Sequence, residues 1–210
     1  MLKAVLFDMD GTIIDSDLMV VEIWRDLYKK YKPGYKPHLA DVVSFSGPPL
    51  DVSFKKAFPK LNPNDVLSFY RQRVKRYYDD LVISFDGMRE TLEELKRKGY
   101  KLGVVTNKAK DFALYSLELC SLDGLFDVTI GGDDVTKNKP DPEGIDKALS
   151  VLKVTNKEEA VYIGDTEYDL LAAKNAGVSF FLASWCLRPR IEGVEEKDVF
   201  HKPADLLRRL

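Results

Sequence analysis

The sequence has few of the residues on which several classes of protein depend. Its 210 residues include two cysteines, Cys120 and Cys186, and two histidines, His38 and His201. The cysteines have no partners at metal-ligand spacing, so we interpret both as incidental thiols rather than as part of a zinc site. Neither histidine lies in a motif, which argues against a serine or cysteine hydrolase because that chemistry needs a base beside its nucleophile.

Long apolar runs and a strong net charge are also missing. No run approaches the roughly 20 residues that span a bilayer, and the first apolar run lacks the basic segment of a secretory signal. We therefore expect a cytoplasmic protein with no membrane partner. The net charge of −2 is less basic than is typical of nucleic-acid binding, so no nucleic-acid partner is expected. The oligomeric state, monomer or homodimer, stays open.

Short apolar runs alternate with helical patterns along most of the chain. The runs are KAVLFD, KLGVVTN, FDVTIG, AVYIGD and VSFFLA, each too short and too rich in β-branched or aromatic residues for a helix. In DGMRETLEELKRKGY, Asp86 is a candidate N-cap and Gly99 a helix stop. The alternation predicts an α/β protein with a Rossmann-like parallel sheet and helices on both faces.

A segment after the first strand interrupts this alternation. Its apolar residues Val20, Trp24, Leu27, Tyr28 and Tyr31 recur at helical spacing. The spacing predicts an inserted α-helical domain at 16–82, with the α/β core formed by 1–15 and 83–210. The insertion carries twelve Lys and Arg against eight Asp and Glu, a net charge of +4, and the rest of the chain carries −6. A basic insertion could attract an anionic substrate.

Polar residues follow several of the predicted strands. Ligands of open parallel sheets bind at the carboxyl ends of the strands, so these residues are the candidate site. A lysine in NKPDP, just before a predicted helix, joins them. The set is Asp8 and Asp10, Thr106 and Asn107, Asp165 and Asp169, and Lys139.

Acidic residues from separate strands would be costly to bring together without a cation. Hard divalent cations prefer oxygen ligands, and Mg²⁺ takes carboxylates together with phosphate oxygens. The cluster therefore predicts Mg²⁺ and a phosphorylated substrate, with Thr106 and Lys139 as donors to phosphate oxygens. Asp8 and Asp10 are two residues apart on an extended chain and point the same way. One carboxylate could attack phosphorus while the other, with a pKa raised above the usual value of about 3.9, supplies a proton.

Four stretches of the sequence together resemble the motifs of the haloacid dehalogenase (HAD) superfamily. They are DMDGT, VVTN, KPDP and GDTEYD, in that order. The resemblance implies Asp8 as nucleophile, Asp10 as general acid and base, and Thr106 and Lys139 at the phosphoryl group. Asn107, beside Thr106 at the same strand end, is a further candidate for phosphate binding. The resemblance also implies Mg²⁺ bound by Asp8, the backbone carbonyl of Asp10 and Asp165, with Asp169 as a supporting acid. The insertion would be the helical cap domain of the superfamily.

Other stretches are similar to one branch of that superfamily. SGPPLDVSF, YRQRVKRYYDDLV and ASWCLRPR resemble phosphoglycolate phosphatases and, more closely, HAD-type pyrophosphatases. Ser46, Gly47 and Pro48 would then form a cap loop that faces the substrate, although a plain turn is an equal reading. The true dehalogenases lack the second aspartate, so Asp10 favours phosphate chemistry.

Three functions stay open at this point. The first is an Mg²⁺-dependent phosphatase acting on a small anionic substrate, pyrophosphate or 2-phosphoglycolate. The second is a phosphosugar mutase built on the same core. The third is a non-catalytic binding protein on this fold.

Overall fold

The structure is a computed structural model that describes residues 2–45, 48–188 and 191–210. The chain packs as two compact units, one formed by the residues up to Asp15 together with Ile83–Leu210, the other by Ser16–Val82. The strands are β1 (Ala4–Phe7), β2 (Ile14–Asp15), β3 (Ile83–Ser84), β4 (Lys101–Val105), β5 (Val128–Ile130), β6 (Ala160–Gly164), β7 (Ser179–Ala183) and β8 (Val199–Phe200). The α-helices are α1 (Asp17–Tyr31), α2 (Leu39–Val43), α3 (Leu50–Ala57), α4 (Pro63–Leu81), α5 (Met88–Arg97), α6 (Lys110–Leu119), α7 (Glu143–Val151) and α8 (Glu167–Ala176).

A parallel sheet forms the centre of the first unit. Its strand order is β5-β4-β1-β6-β7-β8, and every neighbouring pair is parallel. Strands β1 and β6 are buried along their whole length, which is typical of a sheet covered on both faces. The predicted α/β fold with a parallel sheet is confirmed. A short antiparallel pair, β2 with β3, lies outside this sheet.

The register of strands β4, β1 and β6 brings their carboxyl ends, where the motif residues begin, to the same level of the sheet. Phe7, the last residue of β1, pairs with Val104 of β4 and with Ile163 of β6. The residues that follow these pairs therefore emerge at one edge of the sheet. Asp8 extends the pairing, because its N–H donates to the carbonyl of Ile163 at 2.8 Å.

Helix α5 begins one residue later than the sequence predicted. Its N-cap is Gly87, with φ of +74°, rather than Asp86. A left-handed backbone favours glycine. The conformation needed at the start of the helix therefore makes Gly87 the N-cap, although Asp86 has the side chain that could cap. The stop is close to the prediction, since the helix ends at Arg97 and Gly99 has φ of +88°.

Aromatic packing holds the helices of the Ser16–Val82 unit together. Trp24 stacks on Phe45 with ring centroids 4.0 Å apart, and it also contacts Phe54 and Phe58. Val20, Trp24, Leu27 and Tyr28 are buried, and Tyr31 is half-buried. The periodic apolar residues of this segment thus form its core, as the spacing predicts.

Over the part of the chain that the structure describes, no helix combines the length and the hydropathy needed to cross a membrane.

Candidate active site

Three buried carboxylates meet at the edge of the sheet. Asp8 follows β1, Asp165 follows β6, and Asp169 lies in the first turn of α8. Their exposed fractions are 3%, 3% and 0%, and one carboxylate oxygen from each lies within 4.8 Å of the others. The structure therefore brings together three of the four predicted metal-site aspartates through their side chains.

Gly164 allows Asp169 to reach this cluster. A Cβ atom on Gly164 would lie 2.4 Å from the Cβ and 2.5 Å from the Cγ of Asp169. Only glycine leaves room for so close an approach between the end of β6 and the first turn of α8. Asp169 Oδ2 also accepts hydrogen bonds from the backbone N–H and the hydroxyl of Thr166, the N-cap of α8, at 3.0 and 2.6 Å.

Lys139 joins two of the carboxylates from the loop before α7. Its Nζ donates to Asp8 Oδ1 at 2.7 Å and to Asp169 Oδ1 at 2.5 Å, and its side chain is 5% exposed. Asn107, which the sequence placed at the phosphoryl group, bonds with the backbone of Lys139. Its Oδ1 accepts from Lys139 N at 2.9 Å, and its Nδ2 donates to Lys139 O at 3.5 Å. Asn107 thus fixes the loop that carries the lysine.

Tyr162 is a site residue that the sequence analysis missed. Its hydroxyl accepts from Lys139 Nζ at 3.0 Å. The same hydroxyl lies 2.8 Å from the carbonyl oxygen of Val105 and 3.1 Å from Asp169 Oδ1. In the sequence, Tyr162 is one of several apolar or aromatic residues of AVYIGD. A fully buried strand has no alternation of polar and apolar residues, so its sequence does not distinguish one side chain from the others.

Two further missed residues bond with Asp165. Thr12 Oγ1 donates to Asp165 Oδ1 at 3.0 Å. Arg188 Nη1 donates to Asp165 Oδ2 and, at 3.0 Å, to the backbone carbonyl of Asp10. A Cβ on Gly11, where φ is +85°, would lie 2.4 Å from Asp165 Oδ2. A side chain at this position would also collide with Arg188 Nη1, which lies between the Asp10 carbonyl and Asp165.

Asp10 is more exposed than the three clustered carboxylates, whereas Thr106 is buried. Asp10 Oδ1 accepts from Lys108 Nζ at 2.8 Å, and the two side chains are 19% and 15% exposed. Thr106 is 5% exposed, and its hydroxyl oxygen accepts from the backbone N–H of Lys108 at 3.2 Å. Lys108 directly follows the VVTN stretch, and the sequence pattern predicts no role for it.

The predicted substrate loop lies apart in sequence from these residues. Pro48 is half-buried, between α2 and α3 of the Ser16–Val82 unit. Ser46 and Gly47 lie outside the described residues.

Burial and mutual repulsion shift the pKa values of the carboxyl groups. Burial and the charge of Asp169 raise the pKa of Asp8 to about 7, although Lys139 opposes the shift. Burial raises the pKa of Asp165 to about 6 against the opposing charge of Arg188. Burial would also raise the pKa of Asp169, but Lys139 and the Thr166 hydrogen bonds outweigh it and hold that pKa below its usual value. Burial lowers the pKa of Lys139 less than its two acidic neighbours raise it.

The donor set fits a hard divalent cation. It offers carboxylate oxygens of Asp8 and Asp165 and the carbonyl oxygen of Asp10, and Arg188 Nη1 places a positive charge against the last two of these ligands. Oxygen ligands of this kind suit Mg²⁺. Among the described residues, the three buried carboxylates form ion pairs with two cations, Lys139 and Arg188. Burial is the main cause of the raised pKa values of Asp8 and Asp165, and the negative charge of Asp169 adds to both shifts.

Comparison with known families gives the class of protein to which this fold and site belong. The family model for haloacid dehalogenase-like hydrolases matches residues 5–183, which include the described site residues except Arg188. The chain belongs to the haloacid dehalogenase-like hydrolase family, and the predicted resemblance is confirmed.

Individual relatives narrow the class. Pyrophosphatase PpaX of Listeria monocytogenes is 35% identical over 89% of this chain and 85% of its own length. Pyrophosphatase PpaX of Bacillus thuringiensis is 36% identical over 98% and 95%. A solved structure from Lactobacillus plantarum, provisionally assigned as a phosphoglycolate phosphatase, superposes with a TM-score of 0.86 at 25% identity, covering 100% of this chain and 99% of its own. The prediction of a phosphatase enzyme of this family is confirmed.

Proposed function

We propose that the protein is an Mg²⁺-dependent phosphohydrolase that works through an aspartyl-phosphate intermediate. The observation that carries the proposal is the buried arrangement in which Lys139 contacts both Asp8 and Asp169 beside Asp165. A lysine held by two carboxylates supplies positive charge at the place where a phosphoryl group would meet Asp8. Positioning and charge balance of this kind account for most of the catalysis of phosphoryl transfer.

Asp8, Asp165 and the backbone carbonyl of Asp10 would hold the Mg²⁺ ion, and Asp169 would support the site by orienting Lys139. When bound, Mg²⁺ would supply charge that neutralises phosphate oxygens and favours the ionised form of Asp8.

Each reaction step has a residue of this chain in a defined role. A carboxylate oxygen of Asp8 attacks phosphorus, and the bond from phosphorus to the leaving oxygen breaks. Asp10 gives its proton to that leaving oxygen. In the second step Asp10 takes a proton from water, the water oxygen attacks phosphorus, and the bond to Asp8 breaks to release phosphate. Thr106 and Lys139 donate hydrogen bonds to the phosphoryl oxygens throughout, with Asn107 holding the Lys139 loop.

The substrate we propose is a small anion, either pyrophosphate or 2-phosphoglycolate. Relatives at 35% and 36% identity are pyrophosphatases, and the structural neighbour favours the second substrate. The net charge of +4 on the Ser16–Val82 unit suits both. We propose that this unit is the helical cap domain of the family and that the enzyme acts in the cytoplasm.

Phosphate release from a panel of substrates tests the proposal. The panel is pyrophosphate, 2-phosphoglycolate, glucose 6-phosphate and p-nitrophenyl phosphate, each with Mg²⁺ and with EDTA. Asp8→Asn removes the nucleophile with little change of shape, and Asp146→Asn, which removes one partner of an exposed ion pair with Lys157, is the matched control.

We expect phosphate release that needs Mg²⁺, falls below detection in Asp8→Asn and is retained in Asp146→Asn. Equal activity in the two variants, or no turnover by the unmodified protein, would refute the enzymatic mechanism. A phosphosugar isomer in place of free phosphate would favour the mutase.

A further inference from the structure

Lys108 is a cation of the site that the proposed mechanism leaves without a role. It comes two residues after Thr106, beyond the end of β4, and its Nζ lies 2.8 Å from Asp10 Oδ1. Its backbone is fixed on both sides, because its N–H donates to Thr106 Oγ1 at 3.2 Å and its carbonyl accepts from Gly132 N at 2.8 Å. A side chain that starts from so fixed a backbone reaches a limited region beside Asp10.

The three cations of the site differ in what surrounds them. Lys139 and Arg188 are each 5% exposed and bond with the buried carboxylates Asp8, Asp169 and Asp165. Lys108 is 15% exposed, and its acidic neighbour Asp10 is 19% exposed. Lys108 is therefore the most accessible of the three cations to an incoming molecule. Lys139 and Arg188 are buried against Asp8, Asp169 and Asp165.

The position of Lys108 relative to Asp10 determines which part of a substrate it would meet. A group that protonates the leaving oxygen lies about 2.7 Å from it. Nζ of Lys108, 2.8 Å from the same carboxylate, is then close to the leaving group rather than to the phosphoryl group that Asp8 accepts. A negatively charged oxygen two or three bonds beyond the leaving oxygen would be within reach of this ammonium group.

We propose that Lys108 binds the charge of an anionic leaving group and so selects substrates such as pyrophosphate or 2-phosphoglycolate over phosphate esters of neutral alcohols. The inference rests on the proposed function, because it takes Asp10 as the proton donor. Substrate specificity would then depend in part on a residue of the α/β unit. The ammonium group would exchange its bond with Asp10 for one with the second phosphate of pyrophosphate or the carboxylate of glycolate.

A matched pair of substrates tests this role. 2-Phosphoglycolate and 2-hydroxyethyl phosphate have the same two-carbon skeleton and both release an alkoxide oxygen that needs a proton, but only the first has a charged leaving group. Lys108→Met removes the charge and keeps the length of the side chain, and Lys108→Arg keeps the charge. Lys110→Met is the control, because Lys110 pairs with Asp134 and is 42% exposed.

We expect Lys108→Met to lower kcat/KM for 2-phosphoglycolate and for pyrophosphate about tenfold or more, the worth of one hydrogen bond to a charged group. Activity on 2-hydroxyethyl phosphate should change little, Lys108→Arg should retain the preference, and Lys110→Met should behave as the unmodified protein. Equal losses on both two-carbon substrates would mean that Lys108 only orients Asp10, and unchanged activity on both would also overturn the inference.

A binding measurement separates this inference from the proposed mechanism. By calorimetry with Mg²⁺ present, Lys108→Met should weaken the binding of methylenediphosphonate about tenfold and leave the binding of methylphosphonate unchanged. Equal binding of methylenediphosphonate by both proteins would refute the role of Lys108 whether or not any substrate turns over. Failure of the unmodified protein to hydrolyse any phosphate ester would instead refute the proposed function.

Discussion

Lys139 Nζ lies 2.7 Å from Asp8 Oδ1, and the side chains of both residues are 5% exposed. A buried ion pair is sensitive to the loss of either member, because the remaining charge then lacks compensation. Here the sensitivity is greater, since Lys139 also neutralises Asp169 at 2.5 Å.

The first prediction concerns the removal of that cation. Lys139→Met should lower the free energy of unfolding by about 3–5 kcal/mol, because it leaves buried carboxylates unpaired. Urea unfolding measures the change. Lys157→Met, which breaks the exposed pair with Asp146, should cost about 1 kcal/mol or less. Adding Asp169→Asn to Lys139→Met should restore part of the loss, and the absence of any restoration would show that the cost is not electrostatic.

The second prediction concerns the hydroxyl of Tyr162. Tyr162→Phe keeps the buried ring but removes the group that bonds with Lys139, Asp169 and the Val105 carbonyl. We expect unfolding to become easier by about 1–3 kcal/mol, the cost of leaving buried polar groups unsatisfied. Tyr35→Phe, on a side chain that is 52% exposed, should leave the unfolding midpoint in urea unchanged. A similar midpoint for both variants would contradict this account.

The third prediction is a fall in stability with rising pH in the absence of metal. The pKa of Asp8 is raised from 3.8 to about 7 and that of Asp165 to about 6, so the folded state binds these protons more tightly than the unfolded state. The stability that they provide is present at low pH and is lost as the pH rises through the folded-state values. The pKa of Asp169 is lowered from 3.8, so its contribution is complete before pH 5 and does not change above it.

Urea unfolding at pH 5 and pH 8 in EDTA measures this dependence. The free energy of unfolding should be lower at pH 8, by an amount on the order of 2 kcal/mol. Asp8→Asn should reduce the difference because an amide does not titrate. Added Mg²⁺ should raise the melting temperature more at pH 8 than at pH 5, and an equal rise at both would argue against a role for these carboxylates in metal binding.

The fourth prediction concerns Arg188 and the affinity for Mg²⁺. Its Nη1 bonds with Asp165 Oδ2 and the carbonyl of Asp10, two of the three ligands proposed for the ion. Arg188→Gln removes a like charge from that place, so we expect the dissociation constant for Mg²⁺ to fall about tenfold. Calorimetric titration measures it, with the exposed Arg97→Gln as control. Weaker binding by Arg188→Gln would show that Arg188 supports the metal site instead.

The strand-end residues and the parallel sheet could be predicted because both follow from local patterns. Short β-branched runs identify strands, and the carboxyl ends of parallel strands share one edge. The sequence alone therefore predicted that Asp8 and Asp165 lie close together. Asp169 was predicted as a supporting acid, but its bond with Lys139 depends on the absence of a side chain at Gly164, which is a three-dimensional constraint.

The residues that escaped prediction have no local signal. Tyr162 lies inside a uniformly buried strand, and Arg188 lies in a loop without periodicity, 178 residues from its partner Asp10. Lys108 directly follows the VVTN motif, but a single lysine after a strand is common and predicts no function. Its contact with Asp10 in the structure indicates that it belongs to the site. Long-range partners of this kind become visible once the sheet register is known.

The glycines at 11 and 164 restrict how this enzyme could acquire a new activity. An added Cβ would lie 2.4 Å from a side-chain atom of a buried aspartate, Asp165 for Gly11 and Asp169 for Gly164. Under the proposed mechanism, a side chain at either glycine would displace a carboxylate that the reaction needs. A substitution of Lys108 would change which leaving groups the enzyme accepts, and it would leave the proposed nucleophile and metal ligands unchanged. Searches for variants with altered substrates should begin there.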